Sequence, residues 1–191
     1  MGNNGRTMMD LGLSGRNLIE LPGKEMRISP GAYVNPYALI IGEVEVEEGV
    51  TIWPGAIIRA DDARVIIKKG TAVLDKAFIE APKGHDVIIG PNALISHGAI
   101  IHGGIIGEGA LVGIGAVVLE GTNVGPHSLI AAGSVLKPGT VVDEGAMFAG
   151  IPAVFKRTLT DEERSHIIDE LKRVREKAQE YGTYYLIKQG M

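Results

Sequence analysis

Aliphatic residues recur every six positions along most of the chain, beginning with Val34, Ile40, Val46, Ile52 and Ile58. The phase skips a short insertion, continues at Ile67, Val73 and Ile79, skips another, and continues at Ile89, Ile95 and Ile101. A five-residue step then leads into Ile106, Val112, Val118, Val124, Ile130, Leu136 and Val142. A Gly, Pro or acidic residue tends to follow the aliphatic one. A small residue stands four positions after it, as in "IGEGAL", "VGPHSL" and "IAAGSV".

A period of six is too short for a helical repeat, but it suits a strand of a few residues followed by a sharp corner. We therefore expect a parallel β-helix with three units to each triangular turn, so that residues about eighteen apart stack on neighbouring coils. A sandwich of evenly spaced short strands also alternates apolar residues with Gly-rich turns. It gives no reason for the phase to hold through so many units. The pattern divides the chain into an N-terminal segment, 1–27, a β-helix, 28–155, and a C-terminal helical segment, 156–191, packed on the coil.

That last segment, "TLTDEERSHIIDELKRVREKAQEYG", switches to helical spacing at Ile167, Ile168, Leu171, Val174, Ala178 and Tyr181. Thr160 and Glu163 form a capping box at its start, and acidic residues open it, as the helix dipole favours. The spacing predicts an amphipathic helix of about twenty residues, ended by Gly182, with "TYYLIK" packing beyond. Its stripe suits the flank of the coil, or else another protein.

Counting units places Ile58, Ile79 and Ile101 on one face. The residues that follow them, Arg59, Glu80 and His102, then form a column spaced by roughly 5 Å, the strand separation. His97 falls on the preceding face, with Asp75 in the equivalent place one coil earlier. Within one chain His97 and His102 thus point to different edges, and they would more readily share a metal across two subunits.

Composition narrows the chemistry. The 191 residues suffice for one domain with its own core, and a formal charge of −4 without a basic cluster gives no footprint for nucleic acid or an anionic membrane. With no cysteine, a metal site must use His, Asp and Glu. The start, "MGNNGRTMMDLGLSG", lacks a signal-peptide core, and Arg6 stands where a myristoylation signal would want Ser or Thr. The expected location is cytoplasmic.

"ALIIGEVEVEEGVTIWPGAIIRAD", "IGPNALISHGAIIHGGIIGEGALVGIGAVVLEG", "SLIAAGSVLKPGTVV" and "AGIPAVFKR", followed by the terminal helix, resemble the γ-class carbonic anhydrases. Their hexapeptide relatives, the ferripyochelin-binding-like and PaaY/CaiE-like proteins, share the likeness, which covers about Ile28 to Arg157. It implies a left-handed coil, although parallel crossovers are normally right-handed, and a homotrimer with a metal held between subunits by three histidines. On that likeness His97 and His102 match two ligands, and Arg59, Asp61 and Asp75 match an intersubunit ion-pair network. Glu80 stands where the first ligand histidine would be. Leu74 replaces a glutamine that orients water or bicarbonate, and Ala72 replaces a nearby asparagine.

Two histidines and a carboxylate can hold catalytic zinc or non-haem iron, so zinc, iron or cobalt bound by His97, His102 and Glu80 is the expected cofactor. The carboxylate lowers the net charge of a divalent site. With Leu74, this predicts weak or absent hydration of carbon dioxide, or action on another small electrophile. Glu80 could instead be taken by Arg59. An acyltransferase using acyl-CoA and a histidine base, or a non-catalytic trimeric scaffold, would also use this coil. His85 is expected to be a solvated loop residue, His127 and His166 to lie on the surface, and Trp53 to face out of the coil.

Overall fold

In a computed structural model describing residues 17–188, the chain winds into a left-handed parallel β-helix of about seven turns with one C-terminal helix. The residues Met1–Arg16, and with them the N-terminal signal expectations, lie outside the described residues. The six-residue period holds in three dimensions. Ile58, Ile79, Ile101, Val118 and Leu136 pair in register up one face, each with 0% exposure. Val46, Ile67, Ile89, Ile106, Val124 and Val142 climb a second face, and Val34, Ile52, Val73, Ile95, Val112 and Ile130 climb the third. Aliphatic side chains thus stack on aliphatic side chains inside while each strand's backbone bonds to the coils on either side.

The long strands Leu39–Val46 and Ile57–Ile67 bend round a corner and join two faces into one sheet. Coil spacing also explains a glycine that follows the aliphatic residue. A Cβ on Gly107 would lie 2.5 Å from the Pro126 backbone nitrogen, and one on Gly125 would lie 2.6 Å from the Val142 carbonyl oxygen. At the N-terminal end Leu18–Ile19 pairs with Ile40–Ile41. At the other end Ala146–Gly150 and Ala153–Thr158 form an antiparallel hairpin that closes the coil.

The helix α1 spans Asp161–Lys188. Its capping box forms: the Thr160 N–H donates to Glu163 Oε2 at 2.9 Å, and the Glu163 N–H donates to Thr160 Oγ1 at 3.2 Å. Ile167, Leu171 and Ala178 are buried, and Leu171 and Ala178 pack in a cluster with Trp53, Ala72, Leu74 and Leu94 of the third face. The predicted stop at Gly182 is corrected. Gly182 lies inside the helix, is not among the positive-φ glycines, and a glycine ends a helix by taking the left-handed conformation. A Cβ there would rest 3.8 Å from the Tyr33 ring, so Gly182 packs against Tyr33. The side chains of "TYYLIK" lie outside the described residues.

Candidate functional site

The stacked column forms as counted. Arg59 pairs with Glu80 and Glu80 with His102 across adjacent coils. Arg59 Nη2 binds Glu80 Oε1, and its Nε lies 3.2 Å from Asp61 Oδ1. Arg59 thus takes one carboxylate oxygen of Glu80. The other, Oε2, lies 3.8 Å from His102 Nε2, beyond hydrogen-bonding range. With a side chain only 14% exposed, Glu80 has little access to water in place of these neighbours.

His97 stands on the third face, as the unit count requires, and its Nδ1 is 3.0 Å from Asp75 Oδ2. Within the chain Asp75 therefore meets His97, while Arg59 meets Asp61 and Glu80. Among the described residues, no three His, Asp or Glu side chains of one chain gather closely enough to hold a metal ion. The ring of His97 borders an open depression of about 410 Å³ lined by Leu74, Leu111, Ile114 and Leu129.

One participant escaped the sequence reading. Glu120 Oε2 lies 3.5 Å from His102 Nδ1 on the side of the ring away from Glu80. Its own backbone N–H, and then the His102 ring, hold the Glu120 carboxyl below the usual carboxylate range. The signal lay in the unit count: Ile101 pairs with Val118, so Glu120, two places after Val118, falls opposite Gly103 and diagonal to His102.

Leu74 and Ala72 are buried in the cluster beneath the helix. Trp53 belongs to it too. It faces out of the coil, edge-on to Tyr33 and Tyr181 at 6.3 and 5.4 Å between ring centroids, and its Nε1 donates to Thr51 Oγ1 at 3.2 Å. His85 and His166 are exposed. His127 is instead half-buried. It takes φ 53° at a corner, with its ring over Gly109, where a Cβ would lie 2.5 Å from Nδ1.

Gamma carbonic anhydrase 1, mitochondrial, of Arabidopsis thaliana is 33% identical over 158 residues, which are 80% of this chain and 58% of that protein. The chain thus spans less than two thirds of that relative. A carbonic anhydrase of Geobacillus kaustophilus is 30% identical over 163 residues, covering 85% of this chain and 87% of its own. The carnitine operon protein CaiE of Escherichia coli is 38% identical over 136 residues, covering 71% and 69% respectively. A crystal structure of a hexapeptide transferase family protein from Anaplasma phagocytophilum superposes with a TM-score of 0.81 at 29% identity, over 86% of this chain and 96% of that one. No family model matches the chain. The coil and these likenesses define a hexapeptide-repeat protein of the left-handed β-helix class. Within that class the chain belongs to the γ-carbonic anhydrase-like family. No helix among the described residues is long and apolar enough to cross a membrane.

Proposed function

We propose that the protein is a trimeric, γ-carbonic anhydrase-like metalloprotein whose variant site is built from Glu80 and His102 of one subunit and His97 of its neighbour. The observation that carries this is the facing pair of Glu80 Oε2 and His102 Nε2, 3.8 Å apart. Two donors each about 2.0–2.2 Å from one zinc ion can span that gap. Each histidine keeps its other nitrogen, Nδ1, near a carboxylate, Asp75 for His97 and Glu120 for His102. Metal-ligating histidines are usually held this way. Exposed apolar residues flank both halves, Ile114 near His97 and Ile100 beside His102. Such unlike patches suit the head-to-tail contact of a closed ring.

When bound, zinc, iron or cobalt would supply Lewis-acid chemistry toward a small electrophile such as carbon dioxide or bicarbonate. Arg59 would hold Glu80 in place and Asp61 would hold Arg59. Leu74, packed under the helix, offers no polar group to orient a substrate, so hydration of carbon dioxide is weak or absent. A cytoplasmic location belongs to this reading, supported by an acidic, cysteine-free chain. The test is metal content by plasma emission on trimer never exposed to a nickel column, together with stopped-flow hydration. About one ion per subunit and slow turnover are expected. Substoichiometric metal would defeat the site, and turnover like that of typical family enzymes would defeat the weak-activity claim.

A second reading is acyl transfer, with His97 as general base oriented by Asp75 at 3.0 Å. The likeness to a hexapeptide transferase family protein supports it. Isothermal titration with acetyl-CoA separates the two, since micromolar binding would favour the transferase.

A further inference from the structure

We propose that Glu120 is a positioning residue for His102: it takes the Nδ1 proton of the ring and turns the Nε2 lone pair toward Glu80. The inference rests on the intersubunit site proposed above for its role in metal binding, but its geometry stands on one chain. His102 lies between two carboxylates, Glu80 Oε2 at 3.8 Å from Nε2 and Glu120 Oε2 at 3.5 Å from Nδ1. A neutral imidazole carries one proton and can satisfy only one of them. Glu80 already receives charge from Arg59, whereas Glu120 has its own backbone N–H and His102 beside it, with His85 adding a weaker attraction. The shorter contact, and the arginine that Glu80 has and Glu120 lacks, both place the proton on Nδ1. Two acceptors, Nε2 and Oε2, are then left facing each other, an arrangement that draws in a cation.

The backbone is shaped for this approach. Gly103, directly after His102, has φ 80°, and a Cβ there would meet Glu120 Cα and Cβ at 3.2 Å and His85 Cβ at 3.1 Å. A side chain at 103 would push Glu120 off the ring. The choice of proton site on a histidine is set by the hydrogen bond made by its other nitrogen, and such outer partners typically change metal affinity by about 10 to 100-fold.

The experiment has two arms on the full-length protein. In the first, long-range nitrogen–proton NMR of metal-free protein, well above the ordinary histidine pKa of about 6.5, reads the His102 tautomer. Wild type and Glu120→Gln, whose amide oxygen still accepts, should show the Nδ1–H form, and Glu120→Ala the Nε2–H form. In the second, zinc competition against a chromophoric chelator should show Glu120→Ala binding about 10 to 100-fold more weakly, with Glu120→Gln between. An Nε2–H ring in wild type, or equal tautomers in wild type and Glu120→Ala, overturns the inference. So does equal zinc affinity for Glu120→Ala in a wild type that does bind. A wild type that takes no zinc defeats the metal site, and the tautomer arm still decides the positioning role.

Discussion

Leu171→Ala tests how the helix is attached to the coil. Leu171 is 5% exposed and packs in the cluster with Trp53, Leu74 and Leu94. Burying a large aliphatic side chain contributes about 1.5–3 kcal/mol, so Ile167 and Leu171, with help from half-buried Val174, supply roughly 5 kcal/mol of gross docking energy. Truncating a buried leucine costs about 2–5 kcal/mol depending on how far the site can collapse. Here an open groove of about 580 Å³ runs beside the helix between Asn92, His127, Ile168 and Arg175. That freedom to relax places the loss near the lower end, about 2–3 kcal/mol, or half of what holds the helix down. Trp53 is the only tryptophan of the chain and lies under the helix, so its fluorescence reports docking directly. The coil's own ladder makes no use of Leu171, and stability in stacked coils is summed from nearest-neighbour contacts. Thermal unfolding of Leu171→Ala should therefore show the Trp53 transition well below the loss of β-signal in circular dichroism. If both signals move together, or neither moves, the helix is not a separable flank and the reasoning fails.

Gly107→Ala should cost about 1–3 kcal/mol by overpacking, because the added Cβ meets only backbone of the next coil, at 2.5 to 2.8 Å; denaturant unfolding checks it, and an unchanged midpoint would contradict the coil spacing. Glu163 is held down to about 2 by Arg157, whose two guanidinium nitrogens bind it at 2.6 Å, and by the Thr160 N–H. Its folded pKa lies below the ordinary 4.5, so its stabilisation is present above pH 4.5 and lost as pH falls toward 2. Melting temperatures of wild type and Glu163→Gln should differ near neutrality and converge in acid, and a difference independent of pH would refute the pairing. Glu80→Gln leaves Arg59 with Asp61 alone. The pair is part-exposed, so about 1–2 kcal/mol of stability is lost, between the values for surface and buried pairs, and metal content should fall; unchanged metal would remove Glu80 from the site.

The coil was legible because one inward residue per strand obeys a single rule through every turn. Once the period is counted, Ile58, Ile79 and Ile101 must stack, and Arg59, Glu80 and His102 follow them. The same count put Asp75 beside His97. What escaped it were contacts that leave the period. Glu120, two places after Val118, stands in the column of Gly103, and its contact with His102 is a diagonal one between columns, which a count of stacked residues does not score. Trp53 was read as outward, as it is, but its partners Tyr33 and Tyr181 depend on where the helix lands, and nothing in a six-residue rhythm encodes that. Gly182 looked like a stop because glycine often is one. Here close packing on Tyr33 keeps it helical.

Two of the three departures from the pattern that the family likeness implies, those at positions 80 and 74, act on different sides of the site. Glu80 sits in the column, where a coil separation of about 5 Å brings Arg59 below and His102 above within reach of one carboxylate. Two oxygens serve two neighbours, so engagement by Arg59 leaves a second oxygen free for a cation, and the ion pair holds the carboxylate at the position from which it would bind one. Leu74 sits on the third face, where the helix lands, and its burial beside Trp53 and Leu171 makes it part of what holds the helix. Restoring a polar side chain at 74 would bury an amide among apolar neighbours, at a cost of about 1–3 kcal/mol when it finds no partner. Position 80 can therefore change with local repair by Arg59 and Asp61, whereas position 74 is tied to the docking of an entire helix. Chemistry that needs a polar group at 74 is the harder of the two for this chain to regain.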